Sequence, residues 1–355
     1  MTVMPIHRFD PERHPHRRRN PLTGDWVLVS PHRTERPWLG QVEPVSPGPR
    51  SAYDPSCYLC PGNRRAQGAV NPKYERTYAF DNDFSALLPD PPAASSSDLL
   101  FQSEAVGGAC RVMCFSPRHD LTLADMDESA VVAVVDMWAA ETALLGTQHR
   151  WVQVFENKGA AMGCSNPHPH GQIWASNFLP NEAAKEDEAQ REYFVGNRSS
   201  LLVDYARREA DLGARVLGTN SDWLAVVPYW AVWPYEVMIL PRRSVGRLPD
   251  LEASERATLA ALLCKVLRGY DRLFGVSVPY SMGWHGAPYD GPSPHLDPDV
   301  EAARIEHWQL HAHLYPPLLR SAAVRKYMVG YEMLAEPQRD LTPERAADRL
   351  RGAMV

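Results

Sequence analysis

The run Met162-Gly163-Cys164-Ser165-Asn166-Pro167-His168-Pro169-His170-Gly171-Gln172-Ile173-Trp174 restricts the fold more than any other stretch of the chain. Its first part is small and turn-prone, which predicts a loop whose backbone N–H groups can approach an anion closely. Its second part, residues 168–176, predicts a strand. In an extended segment residues 168, 170, 172 and 174 point to one side, so two imidazoles and a carboxamide share a face. A lone histidine is usually a satisfied core residue, but no packing need explains this whole succession. The set suits attack on phosphorus, with one imidazole as nucleophile and Gln172 and a backbone nest holding the phosphoryl oxygens.

The flanking pattern places this run in a repeated plan. Residues 125–146 carry apolar side chains at helical spacing behind acidic residues, and Gly146 marks the stop. A strand over 151–156, a glycine-containing loop over 157–167 and the strand over 168–176 follow. The charged segment 182–211 predicts a helical surface crossing, with a domain boundary near residue 185. Beyond it come strands within 223–240, a helix over 252–274 closed by Gly275, and strands at 280–285 and 307–315. Histidines end both halves, which suggests a duplication. Upstream, a strand at 26–30 leads into a proline-rich surface loop at 31–55, and 89–98 reads as an exposed connection.

Composition sets the class. With 355 residues, 44% hydrophobic and 23% charged, the chain can bury a sizeable core in about two domains, and disorder or a disulfide miniprotein is excluded. A net charge of −6 argues against a dedicated nucleic-acid binder, and the basic run at 13–19 reads as a solvated arm. The first twenty residues are polar and basic, unlike a secretory leader, and the apolar stretch 223–235 is broken by Pro228 and Pro234, too short for the ~20 residues a membrane helix needs. No membrane association and a cytoplasmic location are expected. The 32 prolines, 13 histidines and 10 tryptophans exceed what a generic core requires.

Six cysteines without a regular framework suggest a reducing compartment and direct attention to metal. Cys57-Tyr58-Leu59-Cys60 offers two thiolates on a tight turn, with His119 and His168 available to complete a tetrahedral zinc site; two partly buried free cysteines explain the pair equally well. In His307-Trp308-Gln309-Leu310-His311-Ala312-His313-Leu314-Tyr315, the even-numbered residues face a core, and the odd-numbered ones, including three histidines, face the other way. Joined by His285 of Gly283-Trp284-His285-Gly286 and a carboxylate, they offer a second metal site, against the plainer reading of a polar strand face.

Taken together with Ser30-Pro31-His32-Arg33 and Gly283-Trp284-His285-Gly286-Ala287-Pro288, these motifs resemble the galactose-1-phosphate uridylyltransferase family of the histidine-triad superfamily, from about Asn20 to Arg351. The resemblance implies an α+β fold of two duplicated histidine-triad-like domains, 1–185 and 186–355, with mainly antiparallel sheets flanked by helices. It implies a double displacement: UDP-glucose gives its uridylyl group to His170 and releases glucose 1-phosphate, and galactose 1-phosphate accepts the group to give UDP-galactose. His170, Gln172 and Ser165 form the implied catalytic set. Cys57, Cys60, His119 and His168 match zinc ligands, and Glu186, His285, His311 and His313 match a second site for iron or zinc. Nucleotide contacts carry over to Arg33, Arg36, Ala66, Asn82, Asp83, Asn157, Gly163, Cys164, Ser165 and Gln172, and hexose-phosphate contacts to Lys326, Tyr327, Tyr331, Glu332 and Gln338. A homodimer is implied as well. Two departures stand out: Tyr327 occupies a phenylalanine position, and extra residues between Gly286 and His307 include Pro292, Pro294 and Pro298.

Gln172 bears on reaction type. Histidine-triad hydrolases typically have a third histidine there, able to protonate a poor leaving group. Both leaving groups of the implied reaction are sugar phosphates, which depart without a strong general acid, and glutamine is a feeble base toward water. Transfer is favoured over hydrolysis. The alternatives are a related nucleotidyl transferase or phosphorylase with another donor, and a zinc-dependent binding module without turnover.

Overall fold

A computed structural model describes residues 9–35, 48, 50–92, 98–290, 304–319 and 321–355. Arg36, most of the proline-rich loop, part of the 89–98 connection and the inserted prolines 292, 294 and 298 lie outside the described residues.

Nine strands form one sheet, in the order β3-β4-β6-β5-β10-β11-β9-β8-β7. In its N-terminal part are β3 (Tyr78–Asp81), β4 (Gly108–Cys114), β5 (Trp151–Lys158) and β6 (His170–Ser176); in its C-terminal part are β7 (Val216–Thr219), β8 (Trp223–Val226), β9 (Val237–Pro241), β10 (Tyr280–His285) and β11 (His311–Tyr315). Every pairing in it is antiparallel. A three-stranded sheet of β1 (His16–Arg19), β2 (Trp26–Val29) and β12 (Gln338–Arg339) lies apart from it.

The duplication is visible in the ladders. The N-terminal run β3, β4, helix α1 (Glu128–Gly146), β5, β6 pairs as β3-β4-β6-β5, and the run β8, β9, helix α4 (Ala253–Phe274), β10, β11 pairs as β8-β9-β11-β10. The registers agree: Phe155 opposes Gln172 in one half, and Gly283 opposes His313 in the other. His170 therefore corresponds to His311, each the first residue of its strand. β5 and β10 meet at the centre, so the sheet runs uninterrupted through both halves.

α1 and α4 pack together and cover one face. Asp127 caps α1 by accepting the Ala130 N–H at 2.8 Å, and Glu252 and Glu255 cap α4 reciprocally. By length and composition α1 could cross a membrane, but its Val131, Val134, Val135 and Trp138 are buried in the core. The stretch 223–235 is β8 and the loop after it. The tryptophan surplus largely belongs to the interior: Trp138 and Trp223 each contact Trp284, with ring centroids 6.3 and 6.0 Å apart, and Trp151 meets Trp308 at 6.0 Å.

Two expectations need correction. The charged segment 182–211 is helical, but it does not lie wholly on the surface. It divides into α2 (Asn181–Asn197) and α3 (Leu201–Leu212), with Arg198 left-handed at φ 56° ending the first, and both Glu186 and Glu209 are buried. Residue 185 thus lies inside α2. The strand predicted over 307–315 begins only at His311, and its supposedly polar face is as buried as its core face. α2 covers that face, packing Ala183 with Trp151, Ala287 and Trp308.

The chain closes with a short helix α5 (Tyr331–Leu334) and α6 (Pro343–Ala353). Glu344 of α6 pairs with Arg18 of β1 at 2.9 Å and with Arg215 at 2.7 Å, and buried Arg339 of β12 donates to the carbonyls of Ala231 and Pro234. These contacts fasten the small sheet to the C-terminal half.

Candidate active site and metal centres

Strand alternation fixes the site's geometry. Residues directly opposed in a ladder point to the same face, so His170, Gln172, Gly283, His285, His311 and His313 all lie on the sheet face opposite α1 and α4. Ile173, Val154, Trp284 and Ala312 point into the core.

His168 departs from the expected alignment. It and Pro169 form a bend before β6, and the imidazole turns into a buried cluster with Cys57, Cys60 and His119, whose ligand atoms lie within 4.8 Å of one another. Cys60 Sγ is 3.5 Å from His168 Nδ1 and 3.7 Å from His119 Nδ1. The turn is held by Asn63, whose amide donates to the Cys57 carbonyl at 2.8 Å and the Asp54 carbonyl at 2.9 Å. Burial pushes the Cys60 thiol up to about 11 and, with help from His119 and His170, the His168 imidazole down to about 4. Two sulfurs and two ring nitrogens in a buried pocket fit a tetrahedral cation of the zinc type.

His170 is half-buried, and its Nδ1 lies 2.8 Å from the His168 carbonyl oxygen. Nδ1–H donates there, which leaves the Nε2 lone pair as the free end. Burial lowers the tendency of the ring to protonate, against the opposing effect of that hydrogen bond. Gln172 Oε1 accepts from Trp174 Nε1 at 3.0 Å, so the carboxamide N–H groups are its unengaged end. Gly171 is required by space: a Cβ there would come within 2.8 Å of Phe115 and 2.9 Å of the Phe155 carbonyl. Gly163 is required by conformation, at φ +76° in open surroundings.

Two cavities meet at His170 and Ser165. One, of about 290 Å³, is walled by Tyr58, Ala66, Phe80, Asn82, Asp83, Phe84 and Gln172, a flat apolar slot with an amide and a carboxylate at its edge. The other, of about 640 Å³, is lined among others by Arg50, Asn157, Lys158, Cys164 and the 275–277 turn. Sequence reasoning missed Tyr58, Phe84 and Arg50, because aromatic or basic residues in irregular segments carry no periodic signal.

The second cluster assembles as expected. Glu186 Oε2 is 2.8 Å from His285 Nδ1 and 3.6 Å from His311 Nε2, and the three imidazole centroids lie 4.9–5.1 Å apart. His311 repeats the contact of its counterpart, with Nδ1 2.8 Å from the Gln309 carbonyl. His311 Nε2 and His313 Nδ1 are buried without hydrogen-bond partners, as inward-facing ligand atoms are. Burial and like charges hold His313 well below the usual histidine range, whereas the Glu186 charge overcomes burial to raise His285. Three histidines and a carboxylate suit iron or zinc. His307 lies outside the cluster and bonds Asp187 at 2.8 Å.

Arg33, Lys326, Tyr327, Tyr331, Glu332 and Gln338 do not line these cavities. Arg33 and Gln338 converge on Asp340 at 3.1 and 2.7 Å, and Lys326 pairs with Glu332. Tyr327 and Tyr331 are exposed, with Val329, Met333 and Leu334 beside them in the chain.

Residues 7–180 match the family model described as galactose-1-phosphate uridyl transferase, N-terminal domain, and residues 186–355 match its C-terminal domain counterpart. The chain is 55% identical over 344 residues to the galactose-1-phosphate uridylyltransferase of Haemophilus influenzae, covering 97% of this chain and 95% of that one. It is 54% identical to that of Rattus norvegicus, covering 97% and 89%. A solved uridylyltransferase structure superposes with TM-score 0.73 at 26% identity, covering 96% and 98% of the two chains. An ADP-glucose phosphorylase from Arabidopsis thaliana shares the fold, with TM-score 0.72 at 21% identity, covering 95% and 99%. Matched across both halves by the family models and at 55% identity to a curated relative, the chain belongs to the galactose-1-phosphate uridylyltransferase family.

Proposed function

We propose that the chain moves a uridylyl group from UDP-glucose to galactose 1-phosphate through a covalent intermediate on His170. The observation that carries this reading is the tethered imidazole, with Nδ1 bound to the His168 carbonyl at the junction of two cavities. The smaller slot suits a uracil ring, whose amide edge can meet Asn82 and Asp83; the larger suits the sugar phosphate. Nε2 attacks the α-phosphorus and forms a P–N bond as the P–O bond to glucose 1-phosphate breaks, its electrons leaving on the phosphate oxygen. A phosphate oxygen of galactose 1-phosphate then attacks, the P–N bond breaks, and Nε2 regains its lone pair. Gln172 N–H groups, Ser165 and the backbone of the 163–165 loop hold the phosphoryl oxygens throughout.

Cys57, Cys60, His119 and His168 would hold zinc, and Glu186, His285, His311 and His313 iron or a second zinc; each ion supplies a rigid crosslink where bound. The N-terminal half, 1–185, carries nucleophile and zinc ligands, and 186–355 carries all four residues of the second cluster. The reading includes a cytoplasmic homodimer. Its support is the exposed set around Tyr327, Tyr331 and Leu334: Arg33, Lys326, Glu332 and Gln338 are absent from the cavities of their own chain, and a second copy can present them to His170.

Intact-mass measurement of protein mixed with UDP-glucose alone tests the reaction. An acid-labile adduct of one uridylyl group is expected in the parent and absent in His170→Ala. No adduct, one that survives that substitution, or an adduct from ADP-glucose only, overturns it.

A further inference from the structure

The zinc cluster contains a feature that its four ligands do not explain. Tyr74 places its hydroxyl 3.0 Å from His168 Nε2 and 2.7 Å from the carbonyl oxygen of Leu59. Leu59 belongs to the Cys57–Cys60 turn, so one hydroxyl joins the turn that carries both sulfurs to the histidine that comes from the far side of the site. His119 has no equivalent; its Nε2 is 4.0 Å from a partly exposed Asp54 carboxylate.

Proton bookkeeping gives this chain of contacts a direction. A carbonyl only accepts, so the Tyr74 proton goes to Leu59. The phenolic oxygen is then an acceptor toward His168, and the bond at 3.0 Å requires Nε2 to carry the hydrogen. A neutral imidazole protonated at Nε2 has its lone pair at Nδ1, the nitrogen that faces Cys60 Sγ at 3.5 Å. In the other tautomer Nδ1–H would point into the cluster, and the Leu59 carbonyl would lose its 2.7 Å bond from Tyr74, keeping only the long Cys114 thiol contact at 3.9 Å. Asn166 works from the opposite side: its Oδ1 accepts the His168 N–H at 3.0 Å, which turns its amide nitrogen to Cys57 Sγ at 3.4 Å as a donor to a thiolate.

We infer that Tyr74 is a positioning residue for metal binding, holding His168 in the tautomer and orientation that present Nδ1 to a zinc ion. The inference rests on the reading of Cys57, Cys60, His119 and His168 as a zinc site. Outer partners of this kind change metal affinity by about 10–100-fold. The effect reaches the nucleophile, since the carbonyl that orients His170 is that of His168.

The test uses the full chain and zinc itself. Parent, Tyr74→Phe and His170→Ala are loaded with zinc and titrated with a chromophoric chelator, and cobalt-substituted samples are compared by their visible spectra. Tyr74→Phe is expected to bind zinc about 10–100-fold more weakly and to shift the cobalt bands, while His170→Ala matches the parent. Equal zinc affinity in Tyr74→Phe and parent overturns the inference, even where thermal stability falls, because a merely packed tyrosine lowers the melting of metal-free and loaded forms alike. A parent that binds no zinc overturns the cluster reading and this inference with it. Weaker zinc in Tyr74→Phe together with no uridylyl adduct in the parent would uphold the inference and sink the proposed reaction.

Discussion

The two halves build the same corner of a sheet and use it differently. His170 and His311 begin equivalent strands, and each sends Nδ1 to the carbonyl two residues earlier. In the N-terminal half the face beyond the imidazole is open: the 159–169 loop arches past it, and two cavities reach Nε2. In the C-terminal half α2 covers the face, and Glu186 meets His285 and His311 in a buried cluster with His313. Gln172 and His313 are counterparts as well, a carboxamide where the proposed reaction needs phosphoryl oxygens held and an imidazole where the proposed metal site needs a ligand. What separates the proposed nucleophile from the proposed metal ligand is the covering of the sheet face, since strand and tether are shared.

Removing each of the two histidines in turn should separate the halves most strongly. His170→Ala should lower uridylyl exchange by about 10^4-fold or more, as loss of a nucleophile does, whereas His311→Ala should leave adduct formation measurable in the folded fraction. Exchange rates and adduct mass for both variants decide it; comparable losses would show that the halves do not divide the labour this way.

A smaller effect is expected from the closed face. Glu186→Ala removes the carboxylate that, among the described residues, pairs with His285 and His311, and breaking a buried pair of this kind costs about 3 kcal/mol. Urea unfolding of metal-free protein should show it. An unchanged midpoint would mean that the histidines do not need their carboxylate.

Buried carboxylates sharpen the contrast through pH. Burial raises Glu156 of β5 to about 7 despite its 2.8 Å bond from Tyr280. The folded state therefore keeps a proton that the unfolded chain releases above about 4.3, and this group makes stability fall as pH rises from there to 7. Glu156→Gln should be more stable than the parent at pH 8, by on the order of 2–3 kcal/mol, and near it at pH 5. Glu344 has the opposite sign. Burial opposes its charge, but Arg18 and Arg215 hold it down at about 2, so its contribution is present above the unfolded value and lost as pH falls toward 2. Glu344→Gln should flatten that acid limb. Melting temperature against pH for the two variants reads both signs, and parallel curves would refute the assignment.

The smallest effect concerns the paired helices. Asp127→Ala removes the side-chain cap of α1 and should cost about 1 kcal/mol. A loss well above that in thermal melts would show that the start of α1 has a role that α4 does not share.

Much of this was legible in the chain. Helices at 125–146 and 252–274 and the strands beside them follow from periodicity, and the repeated order of elements anticipates the shared strand plan. Residue type and spacing offer seven of the eight residues of the two clusters, the resemblance adds Glu186, and Cys57, Cys60, His119 and His168 do converge. Less legible was anything set by a break in regularity. His168 reads as the first residue of an alternating strand, yet the bend at Pro169 sends it the other way. Likewise Glu186 reads as one more charge on a polar segment, although α2 buries it.

The sequence by itself determined the strand that carries His170, the glycines its approach requires, and the pairing of two similar halves, because these rest on local dihedral preferences and on the periodicity of neighbouring side chains. Tertiary structure decided which nitrogen of His170 is free, which sheet face is covered, and that Tyr74 and Leu59 meet His168. Those depend on atoms far apart in the chain: a hydrogen-bond partner, or a helix laid over a face, exists only once the whole sheet has closed.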